Sequence, residues 1–296
     1  NLKNNNFDQI ELKGKINNTE LNILDKQKYE NIILDFNFKN NNLKISNLKF
    51  KYKNLNFSSK KIETIIGDKI ISFKGDLKNL FNSALLSNLL SRDIKKYIDE
   101  EVLLSANSIF EFEINKKFKI KKYKFKSKVR FQDLIINLKN INAKKYLKGF
   151  DKKLLLSEGF LDFNINSKKQ ISIKFNSNYI LNKKQKPKEI SINYSMDGSN
   201  ELYDLNIDLI ENEINFNQIN FNKKKGEEFN LNLILTKKKN LYRIKKLELF
   251  NSKNKFKINN FKLSKNFKII DFDSLNANYF NINGFNNYIS ITKNKN

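Results

Sequence analysis

Apolar and polar residues alternate along most of this chain, in short runs that follow one another almost without glycine or proline. Phe229-Asn230-Leu231-Asn232-Leu233-Ile234-Leu235 shows the pattern, and so does Ile171-Ser172-Ile173-Lys174-Phe175-Asn176-Ser177. Side chains alternate faces along a strand, so each such run has one oily face and one wet face. From residue 7 to residue 75 the runs read as a meander. Ile32–Phe38, Leu43–Ile45, Leu48–Tyr52, Leu55–Phe57 and Ile70–Gly75 are strands, with Asn40-Asn41-Asn42 as a turn between two of them. Strands resume at Ser108 and continue to the end. Phe125, Val129 and Phe131 share one parity while Phe118 and Ile120 share the other, which predicts a turn or bulge near Lys121-Lys122.

Between these stretches the period changes. From Asp76 to Glu101 the apolar positions include Leu77, Leu80, Phe81, Ala84, Leu85, Leu89, Ile94, Tyr97 and Ile98. That spacing of three and four predicts an amphipathic helix over about 77–98, with Asp76 as its N-cap. Its polar face is not strongly basic, so it reads as a plug or cap on the core rather than a helix lying in a membrane surface. Lys183 to Lys188, around the single proline Pro187, is a candidate seam that also reads as a hairpin tip. The strands otherwise run on as one continuous β-rich unit over 1–296 with no strict repeat period. A chain that opens on Asn1 in the middle of strand-like sequence reads as an excerpt of a longer protein.

Composition sharpens this picture in three places. With 8 Gly and 1 Pro in 296 residues, the turns must be made by other residues, and Asn is the natural substitute because it tolerates left-handed backbone angles. Cys and His are both absent, which excludes disulfides, the usual zinc sites, and the Ser-His-Asp and Cys-His triads. The formal net charge of +26 suggests a polyanion partner. A plainer source is codon usage, since Lys, Asn, Ile and Phe all have A+T-rich codons. Arginine, the preferred residue for bidentate phosphate and base contacts, occurs only at Arg92, Arg130 and Arg243.

A sheet of about 15 strands at about 4.8 Å spacing is roughly 70 Å wide. One helix covers only about two strands of it. The oily face must therefore fold on itself as a sandwich or barrel, or curl into an open groove or trough whose inner face takes hydrophobic ligands. The passage Ile71-Ser72-Phe73-Lys74-Gly75-Asp76-Leu77-Lys78-Asn79-Leu80, with Leu48-Lys49-Phe50, Leu154–Ile165 and Phe256–Asn283, resembles the AsmA-like envelope proteins, the group of YhdP and TamB. The resemblance covers most of the chain and is one of texture. It implies a long β-groove in the periplasm of a Gram-negative cell, anchored to the inner membrane through a segment outside this chain and carrying phospholipid toward the outer membrane. The chain departs from the pattern in lacking an N-terminal anchor and Gly-rich turns.

On this reading the partner is phospholipid or another acyl-chain lipid, with no cofactor, no metal and no nucleic acid. The candidate groove lining is Ile171, Ile173, Phe175, Leu205, Ile207, Leu209, Phe229, Leu231, Leu233 and Leu235. The candidate plug is Leu77, Leu80, Phe81, Ala84, Leu85 and Leu89. Each of these residues also fits an ordinary core, and a closed β-sandwich acting as a structural or adhesive surface protein stays open as the alternative. A nucleic-acid binder would need Tyr52 or Tyr123, each flanked by lysines, as exposed stacking platforms. An enzyme has least support. Asp162, Asp204, Asp208, Glu211 and Glu213 are spaced like solvated strand and turn residues rather than a catalytic carboxylate pair.

Overall fold

The computed structural model of the chain describes residues 11–23, 27–82, 102–138, 143–182, 184–239, 241–265 and 268–293. Of these, 74% are strand and 1% helical, and the strands form an antiparallel meander that is not closed into a barrel. The described residues up to 131 together with 162–169 form one compact unit, and 132–161 with 170 onward form a second.

The first unit carries β1 (Glu11–Ile23), β2 (Gln27–Lys39), β3 (Asn42–Tyr52), β4 (Leu55–Ile66), β5 (Ile70–Asn82), β6 (Leu103–Asn115) and the start of β7 (Ile120–Asn137). Each pairs antiparallel with the next. The register lines apolar residues into cross-strand rows. One row runs Leu12, Phe38, Leu43, Thr64, Phe73, Phe112 and Tyr123, and the next runs Gly14, Phe36, Ile45, Ile62, Gly75, Phe110 and Phe125. Such cross-strand pairs are the unit of sheet stabilisation. The glycines make room for neighbouring rings. A Cβ on Gly75 would stand 2.9 Å from the Lys61 carbonyl and 3.0 Å from the Phe110 ring.

The expected helix does not begin at Leu77. Leu77, Leu80 and Phe81 lie in β5, paired with Ser108, Ser105 and Leu104 of β6. Their three-and-four spacing is also compatible with a strand, and the 13-residue ladder to β6 decides for strand over local periodicity. Ala84, Leu85 and Leu89 lie outside the described residues. Asp76 is not a helix cap but the anchor of a bulge. The β4–β5 register shifts between Ser58 and Ile62. There the Asp76 carboxylate accepts from the Lys61 N–H at 2.9 Å, the Lys60 N–H at 3.2 Å and the Ser59 hydroxyl at 3.3 Å. Phe118 likewise leaves its strand: it sits in the β6–β7 turn at φ 55°, where Asn115 Oδ1 accepts from the Lys117 and Lys119 N–H groups.

The second unit contains part of β8 (Lys153–Asn166), then β9 (Gln170–Ile180), β10 (Lys188–Asp197), β11 (Asn200–Asp208), β12 (Ile214–Phe216), β13 (Phe221–Lys223), β14 (Asn230–Lys238), β15 (Leu241–Phe250), β16 (Lys255–Leu263), β17 (Ile269–Asp271), β18 (Ser274–Phe280) and β19 (Asn286–Thr292). The Pro187 loop joins β9 to β10 as a hairpin, inside this unit. β11 pairs directly with β14, so residues 209–229 leave the sheet and return to it. That excursion, with the two-stranded β12–β13 and a 3-10 turn at Asn217–Ile219, packs the buried core of Leu209, Ile214, Phe221, Phe229, Ala277 and Tyr279.

Turns follow the asparagine expectation. Asn40, Asn41, Asn54 and Asn220 take positive φ, and Asn166, Asn251 and Asn281 side chains accept backbone N–H bonds two to four residues on.

Candidate apolar binding face

The second unit builds one continuous oily surface by register alone. Ile190, Ile207, Leu231, Leu249, Phe256, Ala277 and Ile289 stand opposite one another across seven strands. Two residues along each strand, on the same face, lies the row Phe175, Ile192, Leu205, Leu233, Leu247, Ile258, Leu275 and Ile291. A third row runs Ile173, Tyr194, Tyr203, Leu235, Ile244 and Phe261. It stays on that face because a bulge at Lys245 in β15 is matched in β16 at Asn260, φ 52°. A slip of one residue sends every side chain to the other face, so two matched irregularities preserve the surface.

Coverage of this face is unequal. At one end the 209–229 excursion closes over it. Phe229 is 0% exposed and Phe221 2%. The Phe221 ring lies 4.8 Å from Phe256, 5.8 Å from Phe216, 5.9 Å from Phe229 and 6.0 Å from Tyr279. The excursion is pinned by polar contacts. Lys223 is buried, and its ammonium donates to the carbonyls of Leu209 at 2.7 Å and of Ile210 and Asn212 at 2.8 Å. Burial lowers its pKa to about 8, opposed by Glu227, Asp208, Glu211 and Glu213. The buried Tyr179 hydroxyl, with its single hydrogen, lies between two acceptors, 2.6 Å from Asp208 O and 2.7 Å from Asn212 Oδ1. Away from this cap, Ile192, Leu205, Leu233, Leu247 and Ile258 are only half-buried.

The structure therefore brings Phe175, Leu205, Ile207, Leu231, Leu233, Leu235 and Ile173 together on one face, with Ile171 in its last row beside Met196. Leu209 and Phe229 lie instead in the closed core beneath the cap. At the end of the face opposite the cap stands a polar group that the sequence reading missed. Lys237 Nζ is 2.7 Å from Glu201 Oε1, the Tyr203 hydroxyl donates to the other Glu201 oxygen, and the Tyr194 and Tyr203 rings are 4.9 Å apart. Lys237 lies 6.0 Å from the Tyr242 ring centre. Hydrogen bonds from Lys237 and Tyr203 hold the Glu201 pKa down. Parity was the available signal: Glu201 and Lys237 break an otherwise apolar alternation.

The opposite face is wet. A recess of about 660 Å³ there is lined by Asn176, Asn178, Glu189, Ser191, Asn206 and Asn232 among others. The carboxylates considered for catalysis have structural partners: Asp208 takes the Ile210 N–H, Glu211 pairs with Lys225 at 3.1 Å, and Glu213 with Lys148 at 2.9 Å. Tyr52 stacks on Tyr29 at 5.0 Å within the sheet. Among the described residues there is no cluster of His, Cys, Asp and Glu suited to a metal. No family model, curated protein or solved structure matches this chain.

Proposed function

We propose that the chain binds acyl lipid on the apolar face of its second unit, as a segment of an AsmA-like envelope protein that carries phospholipid between the membranes of a Gram-negative cell. One observation carries the reading: the apolar rows extend well past the cap, and among the described residues of that unit no second layer buries them. Adjoining apolar rows left partly exposed, with Ile291 at the edge exposed, form the kind of patch that marks a binding site. The role is passive. Acyl chains gain about 0.8 kcal/mol for each methylene taken out of water, and head groups stay where water reaches them.

The test is mass spectrometry of lipid extracted from the purified protein, paired with titration of a fluorescent fatty acid. Co-purified phospholipid and saturable binding, both reduced in Leu205→Glu and Leu233→Glu, are expected. A lipid-free protein that excludes the probe overturns the proposal and favours the closed structural alternative. Fractionation of cells carrying the full-length protein tests the envelope assignment separately.

A further inference from the structure

The polar group at the end of the oily face and the cap at the other end are separated along the strands. From Glu201 to Ile207, and from Lys237 to Leu231, is three two-residue steps, about 20 Å at about 3.4 Å per residue. With C–C bonds of about 1.5 Å an extended hydrocarbon chain advances about 1.25 Å per carbon, so this span holds about 16 carbons.

Resting on the lipid reading above, we infer that the bound lipid lies along the strands, with a zwitterionic phosphate–ammonium head at Glu201, Lys237, Tyr194 and Tyr203 and a tail of about 16 carbons stopped by the cap at Phe221 and Phe256. The charges select this head. Glu201 and Lys237 are already paired, with side chains 18% and 30% exposed. A purely anionic head set against that pair faces Glu201, and a purely cationic head faces Lys237. A zwitterion gives each a new partner, phosphate to Lys237 and ammonium to Glu201, so neither partly buried charge is stranded. The tyrosine rings add a surface for the ammonium, as ring faces attract cations. At the other end Phe221, Phe229 and Tyr279 close the track with rings packed against one another. A methyl terminus meets no polar group that it would strip of water.

The chain has no tryptophan, so one introduced Trp is a unique reporter. Tyr242→Trp reports the polar end and Phe256→Trp the capped end, with Leu249→Trp, on the strand next to β14 and opposite Leu231, as a second capped-end reporter should Phe256→Trp fail to fold. The probes are phosphatidylcholines carrying a nitroxide at carbon 5 or carbon 16 of one tail. The carbon-5 label is expected to quench Tyr242→Trp more strongly, and the carbon-16 label to quench Phe256→Trp or Leu249→Trp more strongly. Equal or reversed quenching with saturable binding overturns the orientation while leaving lipid binding intact. No quenching and no binding overturns both. For the head, a single-tailed 16-carbon phosphocholine is expected to displace the probe at least about tenfold better than palmitate, a difference of about 1.4 kcal/mol. Glu201→Gln with Lys237→Gln is expected to erase that preference. A preference for palmitate in the unaltered protein overturns the head assignment.

Discussion

The open face and the capped core make opposite demands on the same kind of substitution. Leu233→Ala and Phe229→Ala both truncate apolar side chains on β14 or just before it. Phe229 is wholly buried beneath Phe221 and the excursion, so its loss leaves a cavity, and Phe→Ala in such a place costs about 3–5 kcal/mol. Leu233 has strand neighbours on its own face, Leu205 and Leu247, and is half-buried. Removing three carbons from full burial costs about 2.4 kcal/mol at about 0.8 per methylene; Leu233 is already partly exposed and water can fill the space, so its truncation costs about 1.5–2 kcal/mol. Leu205→Ala belongs with Leu233→Ala. Urea unfolding gives the midpoint shifts, and hydrogen exchange of the β11 and β14 amides reads this unit alone. A cost of about 2 kcal/mol or less for both leucines, against 3 or more for Phe229, supports an uncovered face. If Leu233→Ala and Leu205→Ala each cost 3 kcal/mol or more without lipid, a second layer covers them and the reasoning fails.

Three further outcomes follow from the polar contacts. Asp76→Ala should destabilise by about 2 kcal/mol, because two backbone N–H groups and the Ser59 hydroxyl lose a charged acceptor. Burial opposes ionisation of Asp76, but those donors hold its pKa below the ordinary value. The stability it adds is therefore present above about pH 4 and lost as pH falls further, and acid unfolding of the variant should show a weaker dependence there. Lys223 has a folded pKa of about 8 against about 10.4 unfolded, so between those values the unfolded chain holds a proton that the folded chain lacks, and this residue makes stability rise with pH. Lys223→Met should flatten that rise between pH 8 and 9.5 and cost about 2 kcal/mol at pH 7 through its abandoned carbonyls, measured by urea unfolding at each pH. The buried Ser108 and Ser127 hydroxyls lie 2.9 Å apart, so each single Ala variant should cost about 1–2 kcal/mol and the double variant less than their sum. Additive costs in that thermal or urea cycle would show that the pair does not act as a unit.

The strands were legible because their signal repeats every two residues and needs no partner to be read. Phe229 to Leu235 and Ile171 to Ser177 fall in or beside β14 and β9, and the face that their parity predicts is the face that the register assembles. The asparagine turns were legible for a similar local reason. What failed was local evidence contradicted at a distance. The spacing of Leu77, Leu80 and Phe81 suits a helix in isolation, but thirteen backbone pairs with β6 outweigh it, and nothing within residues 70–82 announces that ladder. Asp76 looked like a cap because a carboxylate before an apolar run fits two roles, and only the bulge in β4 distinguishes them. The excursion at 209–229 departs from the expectation that strands simply continue to the end of the chain. Its three-residue strands leave the main sheet, and a short run carries too little pattern to show that.

The positive charge can be judged by where the fold puts it. On the wet parity of the second unit stand Lys174, Lys246, Lys255, Lys257 and Lys262, positions that any soluble residue could fill. Composition drift toward A+T-rich codons is free to write lysine there, so the total of +26 says little about a partner. Lysine on the apolar parity is different, because an ammonium on an oily face must be compensated. Lys188 stands there within 3.9 Å of Asp208, Lys237 there against Glu201, and Lys223 shares the parity of Phe221 and holds three carbonyls. Wet-face lysines are paired as well, Lys246 with Glu248 at 2.9 Å and Lys262 with Asp271 at 2.7 Å, but there water can stand in for the partner as it cannot on an oily face. The lysines that break the alternation are therefore the ones whose acceptors the fold requires, and Lys223 and Lys237 mark the two ends of the oily track.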